Sequence, residues 1–261
     1  MSNPGTDPSG AAANVNVDPD EVARFAALAE RWWDAHGAFK PLHQIGPARL
    51  AFIRDSIVEA LGIPRSGLHP LKGMRLVDIG SGGGLVSEPL ARLGATVTGI
   101  DLAAESVAAA RAHAEAGGLS IDYRVQSIEE LAASGERFDA AVCLEVVEHV
   151  PDPAAFIATA ARVLEPGGIL VVSTLSRTLK SYALAIIGAE HVLRWVPRGT
   201  HQWDRFLTPD ELEKHFVAAG LVPIRTGGIV YQPSTGRWVN ADDTDVNYMM
   251  AGRKPDAGTE S

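Results

Sequence analysis

The sequence predicts an α/β chain, a mostly parallel sheet of seven strands with helices on both faces. Three observations point there. From Arg75 onward short apolar runs alternate with helical stretches, the pattern of βαβ units. The first of those runs leads into a glycine-rich loop, Gly80-Ser81-Gly82-Gly83-Gly84. Apolar residues make up 46% of the 261 and charged residues 21%, which allows a sizeable core and excludes a wholly disordered chain.

The elements follow in order. Met1 to Asp20 is rich in Pro, Ser, Asn, Gly and Ala, lacks the basic and apolar regions of a secretory signal, and reads as a disordered tail over 1–20. Asp18-Pro19-Asp20-Glu21 opens a helix, with an acid at the cap, proline at the first helical position and Glu three residues after the cap. Five strands are expected at Arg75 to Ile79, Ala95 to Ile100, Ile121 to Val125, Phe138 to Leu144 and Ile169 to Ser173. Helices are expected at Leu85 to Leu93, Ser106 to Ala116 and Pro153 to Leu164, the last closed by Glu165-Pro166-Gly167-Gly168. After the fifth strand comes a partly helical insertion, 176–205, and Thr208-Pro209-Asp210-Glu211 then starts a further helix. Strands near Leu221 to Tyr231 and Tyr248 to Gly252 complete the sheet, so the domain is expected over 21–252 with a flexible C-terminus at 253–261.

Charge and cysteine content narrow the partners. Lys and Arg total 23 against 32 Asp and Glu, a net charge of −9, which argues against binding a nucleic-acid backbone. The lone Cys143 forms no internal disulfide and no cysteine-rich metal module; it fits a reducing cytosol and reads as a small buried hydrophobe. No uncharged apolar run approaches the roughly 18 residues of a bilayer span. A cytoplasmic location is therefore expected, with attachment to the inner membrane face as its variant.

The glycine loop lets a ligand approach the backbone. Asp101 ends the second strand, where a carboxylate accepts hydrogen bonds from an adenosine ribose, so loop and acid together specify a nucleoside cofactor. The dinucleotide fingerprint G-x-G-x-x-G is absent; the glycines run G-x-G-G-G, which speaks against an NAD-type oxidoreductase. Asp78, two residues before the first glycine, would repel a pyrophosphate but orient an ammonium group.

This loop resembles motif I of the class I S-adenosylmethionine-dependent methyltransferases, a Rossmann-like family whose seven-stranded sheet has a reversed last strand. Longer blocks are similar to the ubiquinone-biosynthesis O-methyltransferases: Arg31-Trp32-Trp33-Asp34, Phe39-Lys40-Pro41-Leu42-His43, Glu145 through Pro153, Gly199-Thr200-His201 and Asp245-Val246-Asn247-Tyr248-Met249. That resemblance implies methyl transfer from S-adenosyl-L-methionine to phenolic hydroxyls of polyprenylated rings, at both O-methylation steps of the pathway. It implies cofactor contacts at Arg49, Gly80, Asp101 and Leu144, to which the loop chemistry adds Asp78 and Gly82. Ser81 stands where many relatives carry cysteine. Methylation of another small phenol, or a non-catalytic subunit assembled with other ubiquinone-biosynthesis proteins, are the alternatives.

Glu145, Glu148 and His149 follow the fourth strand, at the edge of the sheet where ligands bind. If the segment turns helically they share one face. Such a trio would hold a divalent cation and favour a phenolate nucleophile; without a metal, His149 would take the proton directly. The bland reading is that His149 and one Glu brace the next helix. The resemblance implies Mg²⁺, while the donor set also suits Mn²⁺, Fe²⁺ or Zn²⁺. Trp32 and Trp33 read as core residues or a lid, and His201 and Trp203 as substrate contacts or packing.

In the insertion, Arg177, Lys180, Arg194, Arg198 and Arg205 against Glu190 and Asp204 give 5 − 2 = +3. With its interleaved apolar residues, Ile186 and Ile187 among them, this segment reads either as a helix on an anionic membrane surface or as a lid over the site.

Overall fold

The computed structural model describes residues 16, 18–26, 31–37, 39–64, 67–181 and 203–258. Its strands are β1 (Arg75–Ile79), β2 (Thr96–Asp101), β3 (Asp122–Val125), β4 (Phe138–Leu144), β5 (Leu164–Leu175), β6 (Val222–Gln232), β7 (Arg237–Ala241) and β8 (Asn247–Arg253). The helices are α1 (Pro19–Ala26), α2 (Lys40–Ala60), α3 (Ser87–Arg92), α4 (Ala104–Ala116), α5 (Ile128–Ser134), α6 (Pro153–Arg162), a single turn α7 (Leu179–Ser181) and α8 (Pro209–Ala218).

One sheet carries all of these strands in the order β3-β2-β1-β4-β5-β8-β6-β7. Strands β1 to β5 pair in parallel, and β8 runs antiparallel between β5 and β6. The reversed last strand is therefore present. The sheet has eight strands rather than the expected seven, because β6 turns back through a tight hairpin into β7. Arg237-Trp238-Val239-Asn240-Ala241 sits at the sheet edge, half-buried and partly exposed, and shows no sustained alternation that would mark it as a strand.

Both faces of the central strands are covered, which explains their unbroken apolar runs. Val77 and Ile79 of β1, Ala141 and Cys143 of β4, and Leu170 and Val172 of β5 face one core with Ile157 and Phe216. Their neighbours Leu76, Ala140, Val142, Ile169 and Val171 face the other core with Phe52 and Ile53 of α2. The period of two thus divides one sequence run between two cores. Cys143 is fully buried, as expected.

Local signals set the helix starts. Thr208 and Ser127 each form a capping box, with Glu211 and Glu130 respectively, and Asp152 caps α6 ahead of Pro153. The glycine pair expected to close a helix behaves differently. Helix α6 ends at Arg162, and Pro166-Gly167-Gly168 forms an irregularity within β5, where the backbone of Lys254 bonds to that of Gly167 and Gly168. The Lys254 ammonium also donates to the carbonyls of Ala161 and Leu164, so the chain is hydrogen-bonded to the body past 252.

The topology locates the site. From β1 the chain builds outward through β2 and β3, then returns to add β4 on the other side, so a crevice opens between the carboxyl ends of β1 and β4. The capping box of α8 should contribute measurably to the fold: Thr208→Ala is expected to lower stability by about 1 kcal/mol in urea unfolding, and an unchanged midpoint would show that the cap is dispensable.

Candidate active site

A cavity of about 320 Å³ occupies that crevice. This lies in the range, roughly 300–1,000 Å³, of pockets that enclose small organic ligands. Arg49, Asp78, Gly80, Gly82, Asp101 and Leu144, singled out in the sequence as cofactor contacts, all line it. So do Glu145, Glu148 and His149.

The glycine loop begins where β1 ends. Gly80 and Gly82 take φ of 74° and 51°, a region costly for a side chain. A Cβ on Gly80 would overlap Val146, and one on Gly82 would lie 2.7 Å from the Trp32 ring. Asp101 ties this loop to β2: its Oδ2 accepts from the Gly82 amide at 2.8 Å and its Oδ1 from the Ala103 amide at 2.8 Å. Burial raises the Asp101 pKa, opposed by these backbone donors. Asp78 is buried and accepts a hydrogen bond from Ser87 Oγ at 2.6 Å. Burial pushes its carboxyl from an ordinary 3.8 up to about 7, with the Ser87 hydrogen bond pulling the other way.

Across the cavity, β4 is followed directly by Glu145, the one non-glycine residue with positive φ among the described residues, at 57°. Such a conformation costs about 1–3 kcal/mol and persists only where surrounding contacts enforce it. Two contacts do so here. Glu145 Oε1 accepts from the Arg49 guanidinium at 2.6 Å and from Ser173 Oγ at 2.8 Å. Arg49 comes from α2, buried one turn after Ile45, and thus brings a cation to the carboxyl edge of the sheet.

Glu148 is buried, and its Oε2 accepts from Thr174 Oγ1 at 2.9 Å. Burial first, then the neighbouring Glu145 charge, hold its carboxyl well above the usual range. His149 follows in a turn, its amide bonded to the Val146 carbonyl at 2.9 Å. The three residues expected to form a cation-binding face do not share one. The turn starts only after Glu145, whose left-handed backbone directs its carboxylate to Arg49 and Ser173. Among the described residues, no three His, Cys, Asp or Glu side chains form a metal-ligand group. A cation at Glu145 would have to displace the Arg49 contact.

The polar inventory favours a ligand that offers both hydrogen-bond donors and acceptors. Arg49 Nε, Ser81 Oγ, Gln126 Oε1 and Glu148 Oε1 are buried without a hydrogen-bond partner, and all four belong to residues lining the cavity. Folded proteins rarely leave such atoms unpaired, so these suit a bound molecule. Ser87, Gln126, Ser173 and Thr174 were not identified in the sequence. One signal pointed to Ser173: the parallel pairing of β4 with β5 sets it beside Leu144.

Other candidates divide. Trp32 is buried over the loop and lines the cavity, whereas Trp33 donates from Nε1 to the Gly83 carbonyl at 2.9 Å. Trp203 packs with Leu175 and Phe206, and its indole donates to the Thr178 carbonyl at 3.0 Å, so it is a packing residue away from the cavity lining. His201, Ile186, Ile187, Arg194 and Arg198 lie outside the described residues. The insertion's positive charge is partly neutralised: Arg177 pairs with Glu211, Lys180 with Asp243 and Asp245, and Arg205 with Asp18. Within the stretch expected to be a tail, Asn16 joins the cavity rim and exchanges two hydrogen bonds with the Asp152 backbone. No helix among the described residues is long and apolar enough to cross a membrane.

Residues 77–172 match a family described as a methyltransferase domain. A ubiquinone biosynthesis O-methyltransferase from Azorhizobium caulinodans is 53% identical over 241 residues, covering 92% of this chain and 95% of that one. Another, from Methylobacterium sp. strain 4-46, is 52% identical over 242 residues, covering 93% and 97%. The chain belongs to the ubiquinone biosynthesis O-methyltransferases. The fold of this O-methyltransferase is also similar to that of magnesium protoporphyrin IX methyltransferase from Synechocystis PCC 6803, solved with bound SAH. That match has a TM-score of 0.61 at 20% identity and covers 90% of this chain and 99% of the other. The class I methyltransferase fold expected from the sequence is thus borne out, with one strand added.

Two outcomes are expected of this O-methyltransferase. Asp101→Ala removes the acceptor for two amides and should weaken S-adenosylmethionine binding by about 1.5–3 kcal/mol in calorimetry; unchanged affinity would take Asp101 out of the site. Asp78 predicts a pH effect. Because its native pKa is raised, the folded state keeps a proton that the unfolded chain has released between pH 3.8 and about 7. That contribution is complete below the unfolded value and is lost as pH rises through the native one. Asp78→Asn should therefore gain stability relative to the parent as pH rises over that interval, and a pH-independent difference would contradict the burial argument.

Proposed function

We propose that this protein transfers a methyl group from S-adenosylmethionine to phenolic oxygens of polyprenylated rings, at both O-methylation steps of ubiquinone biosynthesis. The observation that carries this reading is 53% identity across 92% of the chain to a ubiquinone biosynthesis O-methyltransferase. It is supported by a cavity at the carboxyl edge of the sheet, lined by the residues the sequence nominates.

S-adenosylmethionine supplies an electrophilic methyl group on a sulfonium. The chain's own residues bind and orient. Asp101 and Gln126 face the nucleoside end, while Asp78 and Arg49 receive the ammonium and carboxylate of the amino-acid end. Glu145 holds the Arg49 guanidinium in place. At the acceptor side, a phenol with an ordinary pKa of about 10 must lose its proton to become a good nucleophile. His149 takes that proton, and Glu148, whose carboxyl burial keeps near neutral charge, avoids repelling the phenolate that forms. The remaining acceleration is alignment of donor and acceptor with water excluded.

A polyprenyl tail stays in lipid, so the protein works as a peripheral enzyme at a membrane surface, and the apolar and basic stretch 176–205 is the segment that meets it. Purified protein should methylate a catechol bearing a short prenyl chain. His149→Ala should lower kcat by about 100-fold or more while binding of S-adenosylhomocysteine persists. A parent protein that binds the donor but methylates no phenol would overturn the substrate assignment.

A further inference from the structure

Residues 32 and 33 lie over the glycine loop, where their two indoles fasten the chain. Trp32 donates from Nε1 to Ser106 Oγ of α4 at 3.2 Å and stacks on Phe39 with ring centres 3.9 Å apart and planes 7° apart. His43 Nε2 meets the Trp32 carbonyl at 2.9 Å. Trp33 reaches the other side of the loop, donating to the Gly83 carbonyl. Its ring lies flat on the imidazole of His113, centres 3.5 Å apart and planes 3° apart.

His113 occupies the last turn of α4, and its Nδ1 lies 2.6 Å from Glu88 Oε1. A carboxylate there accepts, which fixes the tautomer with hydrogen on Nδ1. Glu88 is buried in α3, the helix that the glycine loop enters. A continuous chain of contacts therefore runs from α3 through Glu88, His113 and Trp33 to the Gly83 carbonyl. Trp32 and Phe39 line the cavity, but Trp33 and His113 do not. Whatever this pair contributes to binding must pass through the loop.

We infer that His113 is a positioning residue for the methyl-donor loop, acting through Trp33. This rests on reading the cavity as the S-adenosylmethionine site. A loop of glycines has large conformational freedom and few side chains with which to restrain it. If it were loose in the free protein, the ligand would bear the ordering cost on binding. The Trp33 indole clamps the loop backbone at Gly83, and the flat imidazole beneath it holds the indole in one orientation. The His113 side chain is 40% exposed, so an ion pair with Glu88 alone would add little. The stack and its fixed tautomer carry the effect.

The test uses the full-length protein, calorimetry with S-adenosylhomocysteine and steady-state kinetics. His113→Ala should raise Kd for S-adenosylhomocysteine and KM for S-adenosylmethionine roughly three- to tenfold, the scale of one aromatic stacking contact. At saturating donor, kcat should change less than about twofold, the signature of lost binding rather than lost transition-state contacts. His113→Phe keeps a flat ring under Trp33 and should recover most of the affinity. Trp33→Phe loses the donor to Gly83 and should weaken binding similarly, and its combination with His113→Ala should cost less than the sum of the two, because both act along one chain. Unchanged donor affinity in His113→Ala alongside a lowered Tm would reduce His113 to a structural residue and overturn the inference. A parent protein that binds no S-adenosylhomocysteine would instead overturn the donor-site reading itself.

Discussion

The Asp101 carboxylate accepts one hydrogen bond from the Gly82 amide and another from the Ala103 amide. Through them the end of β2 fixes the path of the glycine loop that leaves β1. The loop has to pass between Val146 on one side and Trp32 on the other, with no room for a side chain at Gly80 or Gly82. The wall of the cavity formed by the loop depends on that path. If the loop relaxed, Ser81 would move with it, and the Trp33 hydrogen bond to Gly83 would lose its acceptor. The burial that raises the Asp101 pKa is opposed in part by the same two amides, so the contacts that fix the geometry also favour the charged form.

On the opposite wall the corresponding device is Glu145. Its left-handed backbone is unfavourable by itself, and Arg49 together with Ser173 holds it there. A strained residue held by buried partners at the carboxyl end of a strand is a frequent mark of a functional position. The same bend separates Glu145 from Glu148 and His149. It divides what looks in sequence like one acidic cluster into a part that pairs with an arginine and a part that lines the cavity beside it. Glu148, buried and close to the Glu145 charge, favours its neutral form, which lowers the negative charge on that wall of the cavity.

The outer parts of the molecule serve these two walls. The two cores on either face of the sheet keep β1 and β4 in register, with Val77 beside Ala141 and Ile79 beside Cys143. Ion pairs of Arg177, Lys180 and Arg205 anchor both ends of the insertion to the body. Charge that looks available in the sequence is thus partly spent inside the fold, and exposed pairs of this kind add little stability on their own.

Much of this was legible in the chain. The alternation of strands and helices gave the α/β class, because sheets buried on both faces require continuous apolar runs and crossover helices. The cap signatures at Thr208 and Asp18 set helix starts, and all nine residues nominated for the site line one cavity, because ligands collect where the strand order reverses. What the sequence could not determine depends on contacts between distant segments. Strand β7 is held by its hairpin partner rather than by its own pattern. The bend at Glu145 follows from Arg49, 96 residues earlier. The stack of Trp33 on His113 joins segments 80 positions apart, as 113 − 33 gives. Local sequence determined which elements form and which side chains reach the carboxyl edge. Only tertiary packing decided which of those side chains bond to the protein and which are left facing the cavity, since a buried polar group takes whatever partner the fold brings within reach.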